Sequence, residues 1–321
     1  MKNIIDLTRD GLAATDLLCV NGGSHEHYLS TQALQLRKSL QGLFGNAVGM
    51  AIYNHWCDKM TIGHYGDGLV LRQYNEHGHL AHYHGFAHSL GAAIRAIKSF
   101  SSNMSNLEKK ALLLGIMYHD NSHSLGYSDD FQNIVRAIQP FTTKMVKSHI
   151  NHPLIEHGFN NSYVPVHAYE FCSSLQKMDP SSIMKDDIIS AFGSLTQPNK
   201  LFQMVIEAIR YTQWPYFQDS FPNLPVCLEH VRRIDLSSSS DDDWFQQIYE
   251  GLYYEVVKPS EPGIGFIEFC ENQIKFLRSV RHLYYYEDKD TFACNKWKDV
   301  FDKMIGRAHA ALNMARRVTS M

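Results

Sequence analysis

The sequence predicts a single, nearly all-α domain. Apolar residues recur at steps of three and four along most of the 321-residue chain, which is the period of an amphipathic helix. Strand-like alternation is scarce, and residues 68–74 (GLVLRQY) are the best candidate for a short strand or hairpin arm. No predicted strand leads through a glycine-rich loop into a helix, so a Rossmann or P-loop nucleotide site is not expected.

The helices are predicted from their apolar stripes and from the residues at their ends. Ser105 and Glu108 form an S-x-x-E capping box ahead of the apolar stretch 107–118. Asp129 or Asp130 can cap the following helix, and Pro140 ends it because proline has no backbone N–H to donate. The other apolar stripes predict helices that include residues 90–100, 202–209, 228–235, 244–252, 266–280 and 297–308.

We expect one domain over residues 1–321, with an N-terminal extension at 1–75 and an insertion or lid at about 142–200. The insertion is the least regular part of the chain and contains four prolines. Residues 237–243 (SSSSDDD) are the low-complexity piece. Their polarity predicts a solvated connector that supplies an N-cap to the next helix.

The net charge excludes two classes of partner, and the cysteines and the hydropathy indicate the compartment. With 30 Lys and Arg against 33 Asp and Glu the net charge is −3, so no basic field attracts nucleic acid or an anionic membrane. The six cysteines show neither a C-x-x-C pair nor a disulfide framework, which predicts reduced thiols. No stretch reads as a signal peptide or a membrane span, so we expect a cytoplasmic protein.

Histidine is the unusual part of the composition, with 18 residues that are unevenly spread. His77, His79 and His82 lead directly into the pair His84 and His88. The i,i+4 spacing of that pair predicts two imidazoles one turn apart on the same face of a helix start.

A second group stands at the C-terminal end of the apolar helix 107–118, where His119 and Asp120 are followed by His123. An imidazole beside a carboxylate offers mixed nitrogen and oxygen ligands, which suit Zn, Mn or Fe. This group is therefore a candidate metal site.

Asp235 shares a helical stripe with apolar residues, which places a carboxylate on an apolar face. A buried carboxylate is costly unless a cation or good hydrogen bonds compensate it. Taken alone, Asp235 fits an ion pair with Arg232 or Arg233 better than a metal. The order of an H-x-x-x-H pair, an H-D-x-x-H group and a carboxylate on an apolar face is what favours a metal.

In this order the motifs resemble those of the HD-domain metal-dependent phosphohydrolases, and in detail those of the cyclic nucleotide phosphodiesterase-like branch with its small bacterial members. The family's Y-H-N-x-x-H motif is similar to residues 83–88 (YHGFAH), and its H-D-x-x-H-x-G motif to residues 119–126 (HDNSHSLG). Residues 212–216 (TQWPY) are similar to its T-[QED]-[FW]-P-[FY] element, and residues 234–237 (IDLS) to its metal-binding A-D-L/I-S motif.

The resemblance covers roughly residues 80–140 and 200–280, and the sequence departs from the pattern in places. Gly85 replaces the asparagine that follows the first histidine. Gly263 stands where mammalian-type enzymes carry the glutamine that selects purines, so recognition of cAMP or cGMP is not implied.

The resemblance implies a helical HD bundle around a dinuclear metal centre. His88, His119, Asp120 and Asp235 match the ligands of a tightly bound ion, which would be Zn, Mn or Fe. Asp120 also matches the carboxylate that bridges to a second ion, which would be Mg or Mn.

The resemblance also implies the reaction and the catalytic residues. His84 matches the general acid that protonates the leaving alkoxide, and His123 matches a histidine that hydrogen-bonds near the waters of the second ion. The expected reaction is hydrolysis of a small phosphoester by a metal-activated water, most specifically a phosphodiester in a nucleotide-like substrate.

Three alternatives stay open. A di-iron HD oxygenase would need further histidine ligands, for which His149 and His152 are the good candidates, while these and His157 also fit polar positions in a lid. A bacterial effector phosphodiesterase with an HGxxH motif lacks the HD pair, so His119 and Asp120 argue against it. A non-catalytic HD-fold binding module would not need every ligand and the general acid.

Overall fold

The structure is a computed structural model that describes residues 3–15, 25–60, 64–65, 68–69, 73–74, 80–81, 83–121, 130–142, 165–176, 183–195, 200–213, 226–257, 264–285 and 291–321. The predicted all-α class is confirmed for these residues. The α-helices in chain order are α1 (Ile4–Ala13), α2 (His25–Phe44), α3 (Asn46–Met60), α4 (Phe86–Lys98), α5 (Asn106–Tyr118), α6 (Asp130–Ile138), α7 (Ala168–Gln176), α8 (Lys185–Phe192), α9 (Lys200–Tyr211), α10 (Val226–Leu236), α11 (Tyr253–Val257), α12 (Phe266–Val280) and α13 (Thr291–Thr319).

Shorter helical segments extend several of these elements. They are the 3-10 helices Gln139–Phe141, Ser237–Ser240 and Arg281–Leu283, and the π-helix Gln246–Leu252, which runs directly into α11.

The strands that the structure describes are two residues long and lie between α3 and α4. Strand β1 (His64–Tyr65) pairs with β2 (Gly68–Leu69), and β3 (Gln73–Tyr74) pairs with β4 (Leu80–Ala81), both antiparallel. The predicted strand at 68–74 therefore contributes to two separate pairs rather than to one hairpin arm.

The predicted capping box before α5 and the predicted end of α6 agree with the structure. The Ser105 hydroxyl accepts the backbone N–H of Glu108 at 3.2 Å, and the Glu108 carboxylate accepts the backbone N–H of Ser105 at 2.8 Å. This reciprocal pair is the predicted capping box at the start of α5. Helix α6 begins at Asp130, and Pro140 lies in the 3-10 turn that follows its end.

Helix α5 is at the centre of the packing, in contact with α2, α4, α9 and α10. Its approach to α9 depends on Gly115, because a Cβ built there would lie 2.5 Å from the Cβ of Ala208. Helix α5 also packs against α4 and α10, and the predicted site residues lie where its C-terminal end meets these two helices.

The described parts of the predicted extension and insertion contribute to the same core. Trp56 of α3 is fully buried and its indole N–H donates to the Met117 carbonyl of α5 at 2.6 Å. Helices α7 and α8 pack against α3 and bury Phe171 and Ile188. The expected lid at 142–200 lies in large part outside the described residues, and its role as a lid stays a prediction.

The expectation of a solvated connector at 237–243 is wrong. Ser237 and Ser238 are fully buried, and Asp243 is 4% exposed. The segment continues α10 as a 3-10 helix that packs against α4 and α13. Its hydroxyl groups can be buried because they bond internally, as where Ser237 donates to the Arg233 carbonyl.

Cys57, Cys172 and Cys270 are reduced thiols as predicted, and the other cysteine side chains lie outside the described part of the chain. A membrane-spanning helix needs about 20 mostly apolar residues, and none of the described helices combines that length with that hydropathy.

Candidate metal centre

Three helices bring together the four residues that the sequence predicts as metal ligands. His88 lies in the first turn of α4, His119 is the C-cap of α5 with Asp120 directly after it, and Asp235 lies in the last turn of α10. We call His88, His119, Asp120 and Asp235 the donor set.

The donor set is compact and largely buried. His88 Nε2 lies 3.2 Å from Asp235 Oδ1 and 3.3 Å from Asp120 Oδ2. His119 Nε2 lies 3.1 Å from each of the same two oxygens. The two imidazoles are 2% exposed, and the carboxylates of Asp120 and Asp235 are 7% and 16% exposed. Two nitrogens and two oxygens therefore converge on one point inside the protein.

The end of helix α5 sets the orientation of His119. The last carbonyls of a helix lack partners within the helix, and the Ile116 carbonyl lies 2.7 Å from His119 Nδ1. A carbonyl can only accept, so Nδ1 carries a proton. The other nitrogen, Nε2, is thereby turned toward the two carboxylates.

The two aspartates are held as carboxylates. Burial favours the neutral acid, but His119 and then His88 hold the pKa of Asp235 far below its usual range, and His119 does the same for Asp120. Burial lowers the pKa of His88, whereas the carboxylates, Asp120 first, outweigh burial and raise that of His119. Asp120 Oδ2 is buried, and no contact among the described residues gives it a hydrogen bond of acceptable geometry.

These features fit a divalent transition metal. Ligands at about 2.0–2.2 Å from one ion stand about 2.8–3.6 Å apart in octahedral or tetrahedral geometry. The four nitrogen–oxygen separations of the donor set, 3.1 to 3.3 Å, lie in that range. A cation would also give a direct partner to Asp120 Oδ2, a buried carboxylate oxygen. Imidazole with carboxylate suits Zn, Mn or Fe.

The second ion stays a prediction from the family resemblance. One nitrogen or oxygen from each of His88, His119 and Asp235 lies within 4.8 Å of the others, and the described residues contain no second group of this kind. His123, which the resemblance places near a second ion, lies outside the described residues. The same holds for the tryptophan, proline and tyrosine at 214–216 and for His77, His79, His82, His149, His152 and His157.

His84 lies beside the donor set but not on helix α4, so the predicted face of two imidazoles on one helix is wrong. Helix α4 begins at Phe86 with Gly85 as N-cap, which leaves His84 in the turn before it. The ring centroids of His84 and His88 are nevertheless 6.1 Å apart. The turn, rather than the helical period, determines their relation.

Glu255 of α11 holds His84 in place. Its carboxylate accepts the backbone N–H of Tyr83 at 2.7 Å and that of His84 at 3.1 Å, and it also pairs with His84 Nδ1. Glu255 is 3% exposed and His84 is 25% exposed. Burial alone would lower the pKa of His84, but the charges of Glu255 and then Asp120 raise it to about 9. His84 is therefore an imidazolium at neutral pH.

Glu255 was not among the residues that the sequence predicts for the site. Glu255 has the same sequence feature as Asp235, because it is a lone carboxylate within an apolar helical stretch. For Glu255 that stretch is residues 252–257 (LYYEVV). No motif links that stretch to His84, because the two are 171 residues apart and meet only in the fold.

The alternative of an ion pair between Asp235 and a neighbouring arginine is wrong. Asp235 Oδ1 faces the two imidazoles. The guanidinium groups of Arg232 and Arg233 direct their Nε atoms to the backbone carbonyls of Tyr211 and Leu283, at 2.8 and 2.5 Å.

Comparison of the sequence with models of known protein families and with curated proteins finds no match. The sequence motifs and the geometry of the donor set are therefore the grounds for the proposal of a function.

Proposed function

We propose that the protein is a metal-dependent phosphohydrolase that acts on a small nucleotide-like phosphoester, most specifically a phosphodiester. The observation that carries the proposal is that the donor set and the imidazolium of His84 lie side by side. A buried donor set of two imidazoles and two carboxylates suits a divalent cation. An imidazolium held by a glutamate lies next to it, and a proton donor beside a metal site suits the cleavage of an ester with a poor leaving group.

The donor set has the task of holding the tightly bound ion. When bound, divalent ions neutralise phosphoryl oxygens and lower the pKa of the attacking water. His88 and His119 would bind the ion through Nε2, for which His119 would have to release its Nε2 proton, and the carboxylates of Asp120 and Asp235 would balance the ionic charge. A second ion bridged by Asp120 is part of the proposal and follows from the family resemblance.

His84 has the task of protonating the leaving oxygen. Its Nδ1 pairs with Glu255, so Nε2 carries the proton that is available to substrate. With a pKa of about 9 the ring holds that proton at neutral pH, and an alkoxide, the conjugate base of a much weaker acid, takes it readily. After the transfer the neutral ring keeps Nδ1–H toward Glu255, so its orientation does not change.

Metal analysis of the purified protein followed by a phosphoester screen tests the proposal. The screen contains bis-p-nitrophenyl phosphate, 2′,3′- and 3′,5′-cyclic nucleotides and nucleoside monophosphates. We expect bound Zn, Mn or Fe in the wild type and metal-dependent turnover of at least one substrate. Asp120→Ala removes both, because Asp120 belongs to the donor set.

The matched control is Asp186→Ala, an exposed aspartate in the first turn of α8, which leaves metal content and turnover unchanged. Full activity in Asp120→Ala would contradict the proposal. So would a wild type that binds metal but turns over none of the phosphoesters, or one that consumes O₂ in an iron-dependent reaction.

A further inference from the structure

Arg95 is a buried guanidinium that connects two of the helices on which the donor set lies. It lies on α4 two turns after His88, so both side chains leave the same face of that helix. Its side chain is 9% exposed and reaches the C-terminal end of α10, where Asp235 lies. Because a buried charge is costly unless its donors are satisfied, the partners of Arg95 show which parts of the fold it holds.

The contacts of Arg95 fall on both sides of Asp235 in the chain. Its Nε donates to the carbonyl of Ile234, the residue before Asp235, at 2.7 Å. Its Nη2 donates to the hydroxyl of Ser238, three residues after Asp235, at 3.3 Å, and its Nη1 pairs with the carboxylate of Asp241. One guanidinium therefore fixes the chain before and after this ligand, and the rigid geometry of its donors sets the directions of the three contacts.

The end of α10 is a suitable place for a cation. The last carbonyls of a helix lack partners within the helix, and the helix dipole places partial negative charge there. Arg95 provides a donor for the Ile234 carbonyl and a positive charge beside that end. Helix α4 packs both against α10 and against the 3-10 helix Ser237–Ser240 that continues it. The contacts of Arg95 therefore stabilise the position of α10 relative to α4.

We propose that Arg95 is a positioning residue that sets the distance between His88 on α4 and Asp235 on α10. His88 Nε2 lies 3.2 Å from Asp235 Oδ1, a separation that one ion can bridge. Ser238, which Arg95 contacts, also lies against His88, with its hydroxyl oxygen 2.9 Å from Nδ1. Arg95 thus acts on both ligands through other residues. The inference rests on the proposed function, since its consequence is how tightly the donor set binds an ion.

Gly91 leaves the space that the pair of Arg95 and Asp241 occupies. It lies one turn before Arg95 on α4, and a Cβ built there would lie 2.8 Å from Asp241 Oδ2 and 3.2 Å from Arg95 Nη1. A side chain at position 91 would therefore displace the pair although both of its members remain. Gly91→Ala is thus a second way to disturb the contacts of Arg95.

Substitution of Arg95 by lysine in the full-length protein tests the inference. Lysine keeps the positive charge but has one compact ammonium in place of a planar fork, so it does not hold the three contacts at once. We expect the Kd for Zn²⁺ and for Co²⁺, from competition with a chelator, to rise by about 10- to 100-fold, as is typical when an outer-shell partner of a metal site is lost. Gly91→Ala is expected to raise the Kd by a smaller factor that still exceeds twofold.

Arg307→Lys is the matched control. Arg307 of α13 donates to the backbone carbonyls of Ser239 and Asp241, at 3.0 and 2.5 Å. It therefore holds the same segment as Arg95, but from a helix on which no member of the donor set lies. If general loosening of this segment were enough to weaken metal binding, both lysine variants would show it. We expect the wild-type Kd in Arg307→Lys.

A second measurement reports the separation of the two ligands in the metal-free protein. The nuclear Overhauser effect between a ring proton of His88 and the Cβ protons of Asp235 depends steeply on the distance between them. We expect the effect in the wild type and in Arg307→Lys. In Arg95→Lys we expect it to be weak or lost, because α4 and α10 are no longer held at the same distance.

The inference is overturned by a Kd in Arg95→Lys within twofold of wild type, or by an equal loss of affinity in Arg307→Lys. An Overhauser effect that is absent from the wild type, or unchanged in Arg95→Lys, also overturns it. Where Arg95→Lys does not fold, Gly91→Ala decides by the same criteria. A wild type that binds neither metal contradicts the proposed function instead, and the Overhauser effect then still decides the role of Arg95.

Discussion

The carboxylate of Glu255 contacts His84 at both its backbone N–H and its ring nitrogen Nδ1. The double contact fixes the ring in the turn that precedes helix α4, where no helical hydrogen bond would hold it. It also raises the pKa of the ring to about 9 against the effect of burial. One residue of α11 thus determines both the position and the charge of the proposed general acid.

Replacing that carboxylate tests its electrostatic role. In Glu255→Gln the shape is nearly kept but the negative charge is lost, so we expect the pKa of His84 to fall from about 9 toward or below its ordinary value of about 6.5. NMR titration of His84 in the metal-free protein measures the change. For a substrate with an alkoxide leaving group, the alkaline limb of the kcat profile moves to lower pH, because His84 must be protonated to act.

The control for this variant is Glu250→Gln. Glu250 precedes Glu255 by five residues, and its carboxylate pairs with Arg9 at 2.5 Å, away from His84. The titration of His84 is expected to be unchanged in it. An unchanged pKa of His84 in Glu255→Gln would show that the charge of Glu255 does not hold the proton.

The same pair makes folding stability depend on pH. Since the pKa of His84 is higher in the folded than in the unfolded state, its contribution is fully present below about pH 6.5 and is lost as pH rises toward 9. We expect urea unfolding of the metal-free protein to show that decline. Comparison of the wild type with Glu255→Gln isolates it, since the difference in unfolding free energy between them shrinks over the same range; a constant difference would contradict the assignment.

Removing the general acid separates binding of metal from proton transfer. His84→Gln keeps the donor set, so metal content stays at the wild-type level. Turnover of a phosphodiester with an alkoxide leaving group falls by about 10²- to 10⁴-fold, while a p-nitrophenyl ester, whose leaving group hardly needs a proton, loses much less. An equal loss for both classes of leaving group would rule out His84 as general acid.

Binding of a metal ion to the donor set is expected to raise the free energy of unfolding. At a free metal concentration 100 times Kd the wild type gains about 2.7 kcal/mol in the free energy of unfolding. Asp235→Asn keeps the shape of the side chain but removes a charged ligand, so it gains far less. Thermal unfolding with and without Zn²⁺ or Mn²⁺ measures the difference.

Asp186→Asn serves as the control, because this exposed residue of α8 lies outside the donor set and keeps the wild-type gain. An equal gain in Asp235→Asn would mean that the ion binds elsewhere.

Substitution of glycine by alanine is expected to change the free energy of unfolding in opposite directions at Gly115, where α5 contacts α9, and at Gly306 of α13. Gly115→Ala forces a Cβ to 2.5 Å from that of Ala208, so the helices must separate, at a cost of about 1–3 kcal/mol. Gly306→Ala, at an exposed position of α13 with nothing within 4 Å, stabilises the protein by up to about 1 kcal/mol. Urea unfolding measures both, and a neutral Gly115→Ala would contradict the close packing.

Local signals in the sequence predicted much of the fold because they depend on neighbouring residues. The capping box of Ser105 and Glu108 is one such signal, since both partners lie within one turn. The apolar stripe that ends at His119 is another. The relation of His84 to His88 was predicted wrongly, since spacing alone does not reveal that the helix begins only after Gly85.

The prediction for residues 237–243 was wrong for a related reason, since the burial of this segment depends on residues that are distant in the sequence. Its composition indicates solvent exposure, and its neighbours in the chain give no reason to expect otherwise. Its burial comes from α4 and α13, which cover it, and from Arg95, which pairs with Asp241 across 146 residues of sequence. A buried ion pair has no local pattern, so no reading of the chain by itself detects it.

The sequence by itself determined the helical class and the ends of several helices, because helical period and capping are properties of short stretches. The four residues of the donor set were predicted from the resemblance of the motifs to those of a known family. Only the tertiary structure decided that His88, His119, Asp120 and Asp235 converge within 3.3 Å, and that Glu255 and Ser238 hold two of the histidines. Apart from the adjacent His119 and Asp120, those relations join residues more than 30 positions apart, and the packing of helices against one another is what brings them into contact.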